Sequence, residues 1–71
     1  MTKPLIAITS DFINGKEYLD VESDYQWYAV PSPYVEAAVA AADVVPMIVP
    51  SIGDRLDIDA MLDRVDGVLV T

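Results

Sequence analysis

The chain divides at its apolar runs. Leu5–Thr9 reads LIAIT, unbroken and rich in β-branched residues, with Pro4 before it and Ser10-Asp11 after it. A run apolar at successive rather than alternate positions is the pattern of a strand covered on both faces. Val44–Val49 and Gly67–Thr71 repeat that pattern, and each segment between has room for a helix. Ser32-Pro33 opens the first helix, expected over 33–42, because serine can cap free amides and proline suits a first turn that does not need its N–H. Tyr34, Ala37, Ala38 and Ala41 give that helix one small-surfaced side. Asp43, at its end, opposes the helix dipole and predicts an abrupt, frayed terminus. In the second helix, expected over 58–65, Ile58, Met61, Leu62 and Val65 form an apolar stripe at helical spacing. Asp57 is its N-cap and Asp66-Gly67 its end. The unit is β-α-β-α-β with parallel strands, an α/β fold.

Pro46 falls inside the second of these strands and cannot donate to a sheet ladder, so that strand belongs at an edge. The expected strand order is 2-1-3, with the first strand central and one helix on each face, as in flavodoxin-like sheets. Two helices cover three parallel strands too thinly to close a core, and ordering a chain this small costs on the order of 1.5 kcal/mol per residue. The expectation is therefore one half of a larger α/β domain, whose partner is the remaining part of the same domain, or a piece that needs another partner.

Ser10–Pro31 is long for a connection and shows no helical period. It carries Phe12, Ile13, Tyr18, Val21, Tyr25, Trp27 and Tyr28, enough apolar surface to pack on something. Asn14-Gly15 suits a type I′ turn, which predicts a small hairpin between Phe12-Ile13 and Lys16–Tyr18. The segment leaves from the carboxyl end of the first strand, where open α/β sheets bind ligands, and is expected to act as a lid or pocket wall.

Composition narrows the function. Although 54% of the residues are hydrophobic, no apolar run approaches the roughly 18 residues of a membrane span. Lys3 and the five-residue run after it are too short for a signal-peptide core, so a cytoplasmic location and no membrane partner are expected. Twelve carboxylates against four basic residues give a net charge of −8, which repels nucleic acid phosphates. The sequence holds no cysteine and no histidine. Thiolate chemistry, disulfides and the usual general base are thereby absent from these residues.

The turn after the first strand, TSDFING, has neither a dinucleotide fingerprint nor a P-loop. Ser10, Ser32 and Ser51 lie near the functional edge without an activating base beside them, and read as caps and turn residues. Asp54, Asp57, Asp59 and Asp63 do not follow a calcium loop, since Met61 stands where an oxygen ligand is needed; capping and solvation explain them. No metal or cofactor is expected.

Lys3–Thr9 (KPLIAIT), Tyr34–Ala38 (YVEAA), Val45–Pro50 (VPMIVP) and Met61–Thr71 (MLDRVDGVLVT), in this order and spacing, resemble the N-terminal part of the gamma-glutamyl-gamma-aminobutyrate hydrolase family. These are class I glutamine-amidotransferase-like hydrolases. The resemblance implies a flavodoxin-like fold and hydrolysis of gamma-glutamyl amide bonds by a cysteine nucleophile with a histidine and an acidic partner. It also implies that the third strand runs into a glycine-containing oxyanion loop, with all three catalytic groups further on. Thr71 then leads into that loop, Tyr34 is a motif match on the first helix, and Ser10 and Asp11 are candidate substrate-side residues. The family usually has glycine after the first helix, where this chain has Ala42-Asp43-Val44. The expected function is a scaffold and pocket wall, not catalytic by itself, for a small gamma-glutamyl substrate. The alternative is an acidic, non-catalytic binding or regulatory module that forms a homodimer through the aromatic segment.

Overall fold

The computed structural model describes residues 2–18 and 25–71. The expected contribution of Val21 lies outside them. The elements in chain order are β1 (Leu5–Thr9), β2 (Asp11–Asn14), α1 (Gly15–Tyr18), β3 (Gln26–Ala29), α2 (Ser32–Ala42), β4 (Val45–Val49), a 3-10 turn (Gly53–Arg55), α3 (Ile58–Leu62) and β5 (Gly67–Leu69).

β1 is the middle strand of a parallel sheet ordered β4-β1-β5. Leu5–Thr9 stand opposite Val45–Val49 on one side, and Ile6, Ala7 and Ile8 opposite Gly67, Val68 and Leu69 on the other. This order is written differently from the expected 2-1-3 because the segment after β1 contributes two strands of its own, β2 and β3. Pro46 sits in β4, at the edge of the described sheet, where its missing N–H leaves no gap in the ladder to β1. Beyond the strands proper the pairing continues: Val45 N–H donates to the Pro4 carbonyl at 2.8 Å and Asp66 N–H to the Leu5 carbonyl at 2.8 Å. The Asp66 carboxylate takes the Leu5 N–H at 2.7 Å, so both polar groups of Leu5 are held by one residue.

Successive side chains of β1 point to opposite faces. Ile6 lines a groove under α2, whereas Thr9, three positions on, lines a groove under α3 with Val49. The two helices therefore lie on opposite faces, as right-handed crossovers from a central strand require. Burial is concentrated where both helices reach. Ala7, Ile8, Val44 and Val49 are the buried apolar residues, and Ser10 the buried polar one. The expectation that all three strands are covered on both faces holds only for the middle of β1. Val45, Met47, Ile48 and Val68 are exposed, and Val70 is 78% exposed.

Three local expectations are corrected. The hairpin exists, but its second strand is β3: Phe12 stands opposite Tyr28 and Ile13 opposite Trp27. Neither Asn14 nor Gly15 takes a positive φ. The Asn14 side chain instead accepts the Lys16 and Glu17 N–H groups at 2.9 and 3.3 Å, capping α1 in place of a turn. For α2, Pro31 occupies the cap position, so Ser32 is the first helical residue and makes no side-chain cap. The helix end is not frayed: Asp43 adopts φ 50° and ψ 53° and donates its N–H to the Val39 carbonyl, a left-handed C-cap.

α3 is shorter than 58–65. Its start is as expected, with Asp57 Oδ1 accepting Ala60 N–H at 3.0 Å. At its end the Met61 carbonyl receives both Arg64 and Val65 N–H groups, at 3.0 and 3.1 Å, and the last residues of the stripe are held by turns. Arg64 Nη1 caps the Ala60 carbonyl at 2.8 Å. The expected strand 67–71 pairs only through Leu69, for a reason that belongs to the site.

Candidate functional site

The carboxyl ends of β1, β4 and β5 come together at one edge of the sheet, and four hydroxyl side chains gather there. Ser10, 7% exposed, donates from Oγ to the Val49 carbonyl at 2.7 Å, tying the chain after β1 to the end of β4. Ser51 Oγ donates back to the Ser10 carbonyl, and the two hydroxyl oxygens lie 3.4 Å apart. The chain leaving β4 is thus turned by serine hydroxyls standing in for backbone donors.

On the other side of β1 the same substitution appears with threonines. The backbone ladder between β1 and β5 stops at Ile8 opposite Leu69. Two residues on, Thr71 N–H donates to Thr9 Oγ1 at 2.9 Å, and Thr71 Oγ1 donates to the Thr9 carbonyl at 3.0 Å. Thr9 Oγ1 and Thr71 Oγ1 are 3.4 Å apart. One donor assignment satisfies all three contacts: Thr71 N–H to the Thr9 hydroxyl, that hydroxyl to the Thr71 hydroxyl, and the latter to the Thr9 carbonyl. With a hydroxyl inserted between them, the two backbones separate, which is why regular pairing ends at Leu69.

The four candidates from the sequence are only partly united. Ser10 and Thr71 both stand at this edge, on opposite sides of β1's end. Asp11 follows immediately but is exposed, starts β2 and is paired opposite Ala29. Tyr34, 48% exposed, lies in the first turn of α2 and lines a groove of about 480 Å³ with Ile6, Ala37, Ala38, Ala41 and Val68. The hydroxyls take their partners from one another and from the backbone of Thr9, Ser10, Val49 and Thr71, and neither Asp11 nor Tyr34 is among these. Thr9 was not among the candidates; its role depends on the register that brings Thr71 beside it, and a threonine ending a strand gives no signal of that.

The groove containing Tyr34 is apolar along its length, because alanines on α2 face glycine and aliphatic residues on β5. A second groove of about 310 Å³ lies on the opposite face, between the β4 end and α3. Gly67 allows the close approach on the α2 face: a Cβ there would stand 3.0 Å from Ile6 Cδ1. The hairpin presents a stacked pair, Phe12 and Tyr28, with ring centroids 5.1 Å apart, and both rings are exposed.

Chemically, this edge orients backbone and does little else. Among the described residues the hydroxyls bond to one another and to backbone atoms, with no carboxylate or amine positioned to take a proton. No three His, Cys, Asp or Glu side chains among the described residues converge on a metal position. No helix among them is long and apolar enough to cross a membrane.

A parallel sheet with its central strand first in sequence, helices on both faces and loops gathered at the carboxyl edge is the opening portion of a flavodoxin-like α/β architecture. The Peptidase C26 model matches residues 4–71, and the chain belongs to this family of class I glutamine-amidotransferase-like hydrolases. No curated protein matches the chain.

Proposed function

We propose that these 71 residues are the N-terminal scaffold and pocket-wall segment of a cysteine-dependent gamma-glutamyl amide hydrolase, and are not catalytic by themselves. The observation that carries the reading is a family match over 4–71 in a sequence with neither cysteine nor histidine. The nucleophile and its histidine are then supplied by residues outside this segment, where the family resemblance also puts the acid. The reaction is acyl transfer: a thiolate adds to the gamma-carbonyl, the amine leaves with a proton, and water cleaves the thioester to glutamate and free thiol. The segment contributes the sheet edge and directs the chain after Thr71 into the loop whose amides hold the oxyanion. In this reading the hairpin walls the pocket for a small gamma-glutamyl substrate, and the protein works in the cytoplasm.

The test uses a chromogenic gamma-glutamyl anilide and a gamma-glutamyl alkylamine. The complete protein should hydrolyse one of them and lose activity on thiol alkylation, while residues 1–71 alone should be inert. Turnover by the short chain, or turnover by the complete protein that survives alkylation, would overturn the mechanism.

The exposed apolar grooves favour one further reading, a homodimeric binding module. A stable, cooperatively folding dimer of the 71 residues, with no activity in the complete protein, would select it.

A further inference from the structure

In the order β4-β1-β5 the chain leaves β1 toward one side, to β4, and then crosses back over β1 to reach β5. The crossover direction reverses between β1 and β5, and ligands of open α/β sheets occupy the crevice at that reversal, beyond the carboxyl ends of the strands. The residues at the mouth of this crevice are Thr9 and Thr71. They are joined by hydrogen bonds of 2.9 and 3.0 Å, with the hydroxyl oxygens 3.4 Å apart.

We infer that Thr9 is a positioning residue: its hydroxyl, set between the diverging strands, fixes the backbone at Thr71 and so aims the loop that follows. The inference rests on the proposed hydrolase reading, in which that loop supplies the oxyanion-holding amides. Three features support it. First, the tie is reciprocal, backbone N–H to side chain and side chain to backbone carbonyl, so it constrains the orientation of the Thr71 peptide as well as its distance. Second, it lies beyond the end of the β1–β5 ladder, where Thr71 is exposed and Thr9, half-buried, is held in β1 opposite Val49. Third, Ser10 and Ser51 make the corresponding hydroxyl-to-backbone ties on the other side of β1, so both chains leaving this edge are directed in the same way.

An amide displaced by a fraction of an ångström still binds substrate but stabilises the developing oxyanion less. The effect therefore falls on kcat and not on KM.

In the complete protein, Thr9→Val keeps the side-chain shape and removes the hydroxyl, whereas Thr9→Ser keeps the hydroxyl. With the gamma-glutamyl anilide as probe, Thr9→Val should lower kcat by about 10- to 100-fold with KM within about twofold, the scale of a small misplacement of reacting groups. Thr9→Ser should restore most of the loss. If Thr9→Val does not fold, Thr71→Val removes the bond to the Thr9 carbonyl and the contact between the hydroxyls, keeps the Thr71 N–H bond to Thr9 Oγ1, and should lower kcat by roughly 3- to 10-fold at constant KM. An unchanged kcat, a KM that rises in step with the loss, or a Thr9→Ser enzyme as impaired as Thr9→Val would overturn the inference and leave the hydrolase reading standing. An inert wild-type protein would overturn both.

Discussion

The end of α2 offers a sharp test of the local physics. Asp43, at φ 50° and ψ 53°, lies close to the left-handed minimum near about +57°, +47°. There a Cβ crowds the next carbonyl oxygen and costs an L-residue about 1–2 kcal/mol. Aspartate tolerates the region better than most, so its strain falls near the lower bound, about 1 kcal/mol. Glycine removes that strain and gives back about 0.5–1 kcal/mol in backbone entropy. Two charge effects oppose each other: a negative group at a helix C-terminus is unfavourable by about 0.3–1 kcal/mol, and the exposed pair with Lys3 at 3.1 Å contributes about 0–1 kcal/mol. Asp43→Asn, which removes the charge alone, should therefore change little. Asp43→Ala carries the full steric cost with no local polar compensation. The expected stability order is Gly at or above Asn and Asp, with Ala lowest, and Gly and Ala about 1 kcal/mol apart. With a urea m-value of about 2 kcal/mol/M, the Gly and Ala midpoints of the complete protein should differ by about 0.5 M. An alanine midpoint at or above the glycine one would refute the left-handed cap. A glycine at this helix end would be free of the strain, and Asp43 is a strained but viable residue there.

The other predictions concern the core, the caps and the uncovered faces. Ile8 is fully buried, so Ile8→Ala should cost about 2–5 kcal/mol in the complete protein by urea denaturation. Leu62 is 49% exposed; Leu62→Ala should cost roughly half as much unless another segment covers it, and Asp63→Ala next to nothing. Asp57→Ala removes the cap on α3 and should cost about 1 kcal/mol. Asp66→Ala leaves the Leu5 N–H without its partner and should cost about 1 kcal/mol, while Asp66→Asn, which keeps an acceptor, should cost less than half of that. By light scattering, residues 1–71 alone should associate or show no cooperative thermal transition, because the faces of β4 and β5 are open. Shortening 12–25 in the complete protein should change KM or substrate choice more than it shifts the thermal midpoint.

The parallel unit was legible because its signals are local. Continuous apolar runs mark β1, β4 and β5, Pro46 marks an edge, and Asp57 followed by a helical stripe marks the start of α3. The misreadings arose where one residue type serves two conformations. Asn14 can take a positive φ or accept backbone N–H groups; here it does the second, and the segment after it becomes α1 instead of the return strand. Ser32 can cap a helix or begin one, and with Pro31 already extended it begins α2. The stripe through Val65 predicted a helix three residues longer than α3, which ends at Leu62 because Met61's carbonyl already closes the last turn.

The site was less legible, for a different reason. Ser10 and Thr71 could be placed at the functional edge from strand ends alone, but their partners depend on register. Ile6 opposite Gly67 fixes where β5 begins against β1, and that in turn decides that Thr71, two residues past the ladder, meets Thr9 and not solvent. A Cβ at position 67 would stand 3.0 Å from Ile6 Cδ1, so an alanine there requires a shift of a few tenths of an ångström. Ile6 can turn aside into the groove it lines; whatever part of the displacement it does not absorb passes to β5, and along it to the tie between Thr71 and Thr9. Register at the start of the strand and loop direction at its end are thus one mechanical unit. Gly67→Ala should accordingly impair kcat in the same direction as Thr9→Val, while Ile6→Val combined with it, which removes the crowding δ-carbon, should recover both stability and turnover. Failure of that recovery in an enzyme that folds would show that the two ends of β5 are set independently.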